Sequence, residues 1–135
     1  MTKKETKIIK TKDLTLERAH TVAPSATVIE IAKLLRDNKM RHVHVVGTKG
    51  PQGIVSITDI NAKVVAEGKD PKKLTAKDIM TTPVHTVKHD EDARCAYYKM
   101  VEHGMLSLPV VEKNKVVGVL SINEAMKEMM RQKNC

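Results

Sequence analysis

The chain has 135 residues, enough for one domain or two very small ones, with 24 Lys and Arg against 16 Asp and Glu, a formal charge of +8. It has no Phe and no Trp, and its only two Tyr are the adjacent pair Tyr97 and Tyr98. That shortage excludes stacking platforms for single-stranded nucleic acid, aromatic cages for methylated cations and aromatic membrane belts. Val, Ile, Leu, Ala and eight Met still bring the hydrophobic share to 41%, so an aliphatic core is within reach.

In chain order, residues 1–11 form a basic arm. Lys3, Lys4, Lys7, Lys10 and Lys12 oppose only Glu5 before Asp13, a pattern read as a solvated terminus. His20–Ala23 is a short strand closed by Pro24. Thr27-x-x-Glu30 is a capping-box signature that opens a helix, with Val28, Ile31, Ala32 and Leu35 on its apolar face. Two strands follow, His42–Val46 and Gly53–Ser56, around the turn Gly47-Thr48-Lys49-Gly50-Pro51. A second helix starts at Ser56 or Thr58 and stops at Gly68, ahead of a linker at 69–76. The order then repeats. Val84–Val87 leads to the acidic helix start Asp90-Glu91-Asp92 and an apolar face of Ala93, Ala96, Tyr97 and Met100, stopped by Gly104. Strands Ser107–Val111 and Val116–Leu120 flank Glu112–Lys115, and a last helix runs from Ser121 to about Arg131.

At an offset of 65, without a gap, residues 12–65 match 77–130 at eleven of 54 positions, where composition alone gives about three or four. The identities cluster: Lys12-Asp13 with Lys77-Asp78, His20-Thr21-Val22 with His85-Thr86-Val87, Val45-Val46 with Val110-Val111, and Ser56-Ile57 with Ser121-Ile122. The chain is a duplication. The reading is an α+β protein of two tandem β-α-β-β-α repeats, 12–68 and 77–131, packed about a pseudo-two-fold axis, with a tail at 132–135. A half of about 60 residues buries little surface alone, so the two halves need one another, and a cleft between them is the expected place for a small ligand.

The repeat resembles a tandem cystathionine β-synthase-type (CBS) domain pair, a Bateman module, over residues 11–131. The resemblance rests on the duplication, on Lys77-Asp78-Ile79-Met80-Thr81 leading into Val84-His85-Thr86-Val87, and above all on Gly53-Ile54-Val55-Ser56-Ile57-Thr58-Asp59-Ile60. That octet is similar to ligand-contacting segments of the regulatory gamma subunit of AMP-activated protein kinase. The resemblance implies a non-catalytic module that binds an adenosyl compound (AMP, ADP, ATP or S-adenosylmethionine) and regulates a separate partner protein in trans. It also implies a homodimer formed through helical faces. Asp59 is implied as the acceptor for both ribose hydroxyls and Arg41 as the phosphate-binding guanidinium. Ser56 and Thr58 supply hydroxyls, and Thr81, Thr82, Val84 and Ile54 surround the base. Physical chemistry supports the same place: a guanidinium forks onto phosphate oxygens, and backbone N–H groups at a helix start favour anions. Ser56-x-x-Asp59 also resembles a capping box, with Asp in place of the usual Glu, which would be retained for helix stability alone. In the second half Leu106 replaces Arg41, Asn123 replaces Thr58 and Glu124 replaces Asp59, so a capping role is expected there and one ligand site per chain.

Other constellations are weaker. His42 and His44 share a strand face but have no third ligand at suitable spacing, so no metal site is assigned. His20 and His85 are repeat mates read as structural or pocket-lining. Cys95 is read as a small hydrophobe, and Met126, Met129 and Met130 as core or dimer interface. Cys95 and Cys135 form no disulfide framework, no apolar run is long enough to span a membrane, and no secretory signal is visible, all of which fits a cytoplasmic protein. No catalytic centre stands out. Nucleic-acid binding through the basic arm, and a structural dimer without ligand, are the alternatives.

Overall fold

The structure, a computed structural model, describes residues 8–132. The first seven residues, with most of the basic arm, and the last three, with Cys135, lie outside the described residues. Each half builds the same three-stranded sheet. In the first, β1 (Thr21–Val22) runs parallel to β2 (His42–Gly47), which pairs antiparallel with β3 (Gly50–Ser56). In the second, β4 (Val87–Lys88), β5 (Ser107–Glu112) and β6 (Lys115–Ser121) repeat that order and pairing. Even the irregularity is duplicated, with a register shift between Val45 and Val46 and another between Val110 and Val111.

Helices α1 (Val28–Asn38) and α4 (Ala93–His103) connect the parallel strands. Thr27 caps α1, its hydroxyl accepting from the Glu30 N–H at 3.2 Å, and Val28, Ile31 and Leu35 are its buried stripe, with Ala32 half-buried. That stripe meets the alternate strand residues Val43, Val45 and Val55, as the two-residue period of a strand requires. Ala93, Ala96 and Met100 of α4 meet Leu108, Val110 and Leu120 in the same way. Gly104 ends α4 with φ of 63°, a left-handed conformation that glycine adopts without strain.

Several expectations need correction. β3 begins at Gly50 rather than Gly53, so the hairpin loops are only Thr48-Lys49 and Lys113-Asn114. Lys113 and Asn114 both have positive φ, the backbone a tight two-residue hairpin demands. The helix after β3 is α-helical only over α2 (Ile57–Ile60) and widens into a π-helical turn over Asn61–Val65, a form that apolar periodicity does not distinguish. Its counterpart α5 (Ile122–Gln132) is a regular helix. Cys95 is exposed, lying off the buried stripe of α4. His44, like Val43 and Val45, is buried.

The compact units cut the chain differently from the sequence repeats. One unit is Ala19–Val84; the other combines Met1–Arg18 with His85–Cys135. Within the first, the short helix α3 (Ala76–Ile79) is tied back by Ala76 N–H to Ala26 C=O and Lys77 N–H to Pro24 C=O. Within the second, the equivalent 3-10 turn Thr11–Asp13 is tied by Thr11 N–H to Glu91 C=O and Lys12 N–H to His89 C=O. Each entry segment therefore completes the core of the repeat it does not precede. Leu14 packs with Val87 and Leu120, and Ile79 with Val28 and Val55.

Candidate functional site

The site forms where β3 hands over to α2. Ser56 is the N-cap, and its hydroxyl accepts from the Asp59 N–H at 3.1 Å. Asp59 reaches back, with Oδ2 accepting from the Ser56 N–H at 2.9 Å and from the Ser56 hydroxyl at 3.0 Å. The capping box is thus closed in both directions. It leaves the other carboxylate oxygen for different work.

Oδ1 of Asp59 accepts from the Thr81 hydroxyl at 2.8 Å and lies 3.0 Å from the Lys63 ammonium. Thr81 is held there by its backbone, which exchanges two hydrogen bonds with Ile54: Thr81 N–H to Ile54 C=O at 2.8 Å and Ile54 N–H to Thr81 C=O at 3.1 Å. Gly53 makes that approach possible, because a Cβ at this position would stand 2.8 Å from Met80 Sδ and 3.0 Å from the Thr81 carbonyl oxygen. Lys63 also donates to the Ile79 carbonyl at 2.8 Å, tying the π-helical turn to the end of α3. Asp59 is 7% exposed. Burial alone would raise its pKa, but hydrogen bonds from the Ser56 backbone, Lys63, Thr81 and the Ser56 hydroxyl outweigh it and hold the carboxyl below its ordinary value. The group is a carboxylate at neutral pH.

The remaining sequence-predicted residues are placed unevenly. Arg41 directly precedes β2, and its carbonyl accepts from the Ile57 N–H at 2.9 Å, which puts an exposed guanidinium-bearing residue beside the start of α2. Thr58 is exposed on the first turn. Ile54 is half-buried. Thr82 is exposed and Val84 half-buried, both following Thr81. The structure therefore brings Ile54, Ser56, Asp59 and Thr81 into one hydrogen-bonded cluster with Arg41 next to it. Lys63 also lines a depression of about 530 Å³ together with Ala62, Glu67, Lys69, Leu74, Asp78 and Ile79.

Lys63 is the residue that sequence reasoning missed. Its signal was available, since a Lys four residues after an Asp on a helix is a favourable pair. Among the described residues no group of three or more His, Cys, Asp and Glu could hold a metal. The His42 and His44 rings meet edge to face with centroids 5.4 Å apart, but His44 is 2% exposed and, among the described residues, neither of its ring nitrogens has a hydrogen-bond partner. Burial, and secondarily the nearby His42, push its pKa down to about 4.

A model of the CBS domain matches residues 11–66 and again residues 76–131. The chain belongs to the CBS domain family. Its tandem domains resemble a CBS domain protein of Pyrobaculum aerophilum whose structure was solved in complex with AMP. The two are 27% identical, the match covers 94% of this chain and all of that one, and the TM-score is 0.76. The CBS domain pair of protein MJ0100, solved with 5′-methylthioadenosine and S-adenosyl-L-methionine, is 28% identical over 94% of this chain and 99% of that one, with a TM-score of 0.70. An uncharacterized protein of Methanopyrus kandleri is 36% identical over 108 residues, 78% of this chain and 55% of that protein. The chain thus spans about half the length of that relative. No helix among the described residues of this CBS pair is long and apolar enough to cross a membrane.

Proposed function

We infer that this CBS pair is a non-catalytic regulatory module that binds an adenosyl nucleotide at the Asp59 cluster and signals to a separate protein. The observation that carries the reading is a buried, ionised carboxylate with one oxygen committed to the helix cap and the other held by a hydroxyl and an ammonium. A ribose diol offers two donors of the kind that oxygen accepts. The adenosyl ligands in two related CBS structures support the class of ligand. In this reading Arg41 meets phosphate, Ser56 and Thr58 supply hydroxyls, and Ile54, Thr81, Thr82 and Val84 surround the base. With no Phe or Trp in the chain, adenine is gripped by aliphatic side chains and backbone edges.

Pairing of two copies through helical faces belongs to the same proposal. Tyr98 and Val101 on α4, and Met126 and Met130 on α5, are exposed large apolar residues. Sedimentation analysis tests that part. The ligand is tested by thermal shift with AMP, ADP, ATP and S-adenosylmethionine on the wild type and on Asp59→Asn. A ligand at a hundredfold over its Kd stabilises by about 2.7 kcal/mol. A flat response of the wild type to all four removes the sensing reading.

A further inference from the structure

The Asp59 carboxylate is saturated before any ligand arrives. A carboxylate offers about four acceptor sites, and four donors fill them: the Ser56 N–H and hydroxyl on Oδ2, the Thr81 hydroxyl and the Lys63 ammonium on Oδ1. The two sets differ in what holds them. Those on Oδ2 are part of the helix cap and cannot leave without opening the first turn of α2. Those on Oδ1 are side-chain tips whose anchors lie elsewhere, Thr81 through its backbone pairing with Ile54 and Lys63 through the Ile79 carbonyl.

We propose that Lys63 and Thr81 are placeholders for the two hydroxyls of the ligand's ribose, and that binding detaches the Lys63 ammonium from Asp59, so that Lys63 reports occupancy of the site. The proposal rests on the reading of Asp59 as the diol acceptor. The exchange balances as hydrogen bonds: two donors leave Oδ1 and two arrive, with the carboxylate ionised throughout. What changes is charge. A neutral diol displaces a cation, which leaves Asp59 without its ion partner and leaves the Lys63 ammonium, on a side chain already 43% exposed, with the Ile79 carbonyl as its remaining anchor and more open to solvent. Lys63 sits in the π-helical turn and lines the 530 Å³ depression with Lys69, Glu67 and Asp78, so its release alters the electrostatics of that surface. A part-exposed pair of this kind contributes modestly and is screened by salt. The competition it offers a ligand is therefore a factor of about three to five in affinity, not orders of magnitude.

Adenosine is the suitable probe, because it carries the diol and no phosphate to attract Lys63 in its own right. In the full chain, acylation of lysine side chains followed by mass spectrometry reads Lys63 directly. Labelling of Lys63 is low in the free protein, rises as adenosine is added, and is already high in Asp59→Asn without ligand. By calorimetry Lys63→Met binds adenosine about threefold more tightly than the wild type, and raising the salt tightens the wild type but not this variant. Circular dichroism confirms that Lys63→Met is folded. Protection of Lys63 by adenosine, weaker binding by a folded Lys63→Met, or equal Lys63 labelling in the free wild type and free Asp59→Asn each overturns the placeholder role. Asp59→Asn binding adenosine as tightly as the wild type instead overturns the diol-acceptor reading beneath it, and absence of adenosine binding by both the wild type and Lys63→Met removes the two together.

Discussion

The two halves share a fold and differ in side-chain chemistry at the positions that matter. Where the first half has Asp59 with Lys63 one turn on, the second has Glu124 with Glu128. Where Thr81 offers a hydroxyl, its repeat mate is Leu16; where Arg41 stands, Leu106 lies 77% exposed. Ser121 still caps its helix, its hydroxyl accepting from the Glu124 N–H at 3.2 Å. The Glu124 carboxylate instead accepts from the Thr15 N–H at 3.4 Å and lies 4.0 Å from Lys127, while Glu128 pairs with Arg131 at 2.9 Å. The comparison separates two roles that one motif carries. The cap is retained in both halves because every helix start needs its N–H groups met. In the first, the second carboxylate oxygen is held in addition by the Thr81 hydroxyl and the Lys63 ammonium.

Four experiments break or sharpen that contrast. The largest effect concerns His44, whose repeat mate is Pro109 and cannot titrate. His44 is neutral when folded, with a pKa near 4, and takes up a proton near 6.5 when unfolded. Stability from this residue is therefore complete above pH 6.5 and is lost as pH falls from 6.5 to 4, by about 3 kcal/mol. Urea midpoints across that range should fall for the wild type and much less for His44→Leu, which also removes two unpartnered ring nitrogens from the interior. An equal fall in both proteins would place the acid sensitivity elsewhere.

Next come the carboxylates. Asp59→Asn should weaken adenosine binding by about 2 kcal/mol, some thirtyfold, as expected for loss of hydrogen bonds to a charged acceptor. Glu124→Gln should leave binding unchanged in the same titration. The glycines rank third. Gly53→Ala forces a Cβ against Met80 and the Thr81 backbone, and Gly118→Ala forces one to 2.9 Å from Leu16 Cβ and 3.3 Å from the Glu17 carbonyl oxygen. Each should cost about 1–2 kcal/mol in denaturant unfolding, but only Gly53→Ala also shifts Thr81 and weakens ligand binding. The smallest effect is Arg41→Leu, which installs the residue type of the second half. It should reduce AMP affinity about fivefold, as for an exposed ion pair, and leave adenosine affinity as it was. A loss shared equally by both ligands would argue that Arg41 does not meet the phosphate.

Most of the architecture was legible because the duplication doubles each signal. Thr27 as a cap, the stripe of Val28, Ile31 and Leu35, and the alternation of Val43 and Val45 all follow from period and spacing. The early start of β3 was hidden by Gly50 and Pro51, which read as turn residues although Pro51 pairs with Val46 at the register shift. The π-helical turn was hidden because Val64 is buried under either helical form. In the site, Ser56 and Asp59 could be read together since they are three residues apart. Lys63 stands four residues after Asp59 and was within reach of the same reasoning, whereas Thr81 could not be joined to them so simply, because it lies 22 residues from Asp59.

The amino-acid order by itself determined the repeat, the order of strands and helices, the capping of α2 and the replacement of Arg41 and Asp59 by Leu106 and Glu124 in the second half, because these depend on local spacing and side-chain chemistry. The tertiary structure decided what meets the second oxygen of the Asp59 carboxylate. That outcome depends on the segment after the linker folding back to pair Thr81 with Ile54, a contact between residues 27 positions apart. It also depends on the π-helical turn that carries Lys63 to the same oxygen. Such placements arise from packing between distant segments, where burial rather than local propensity sets the geometry.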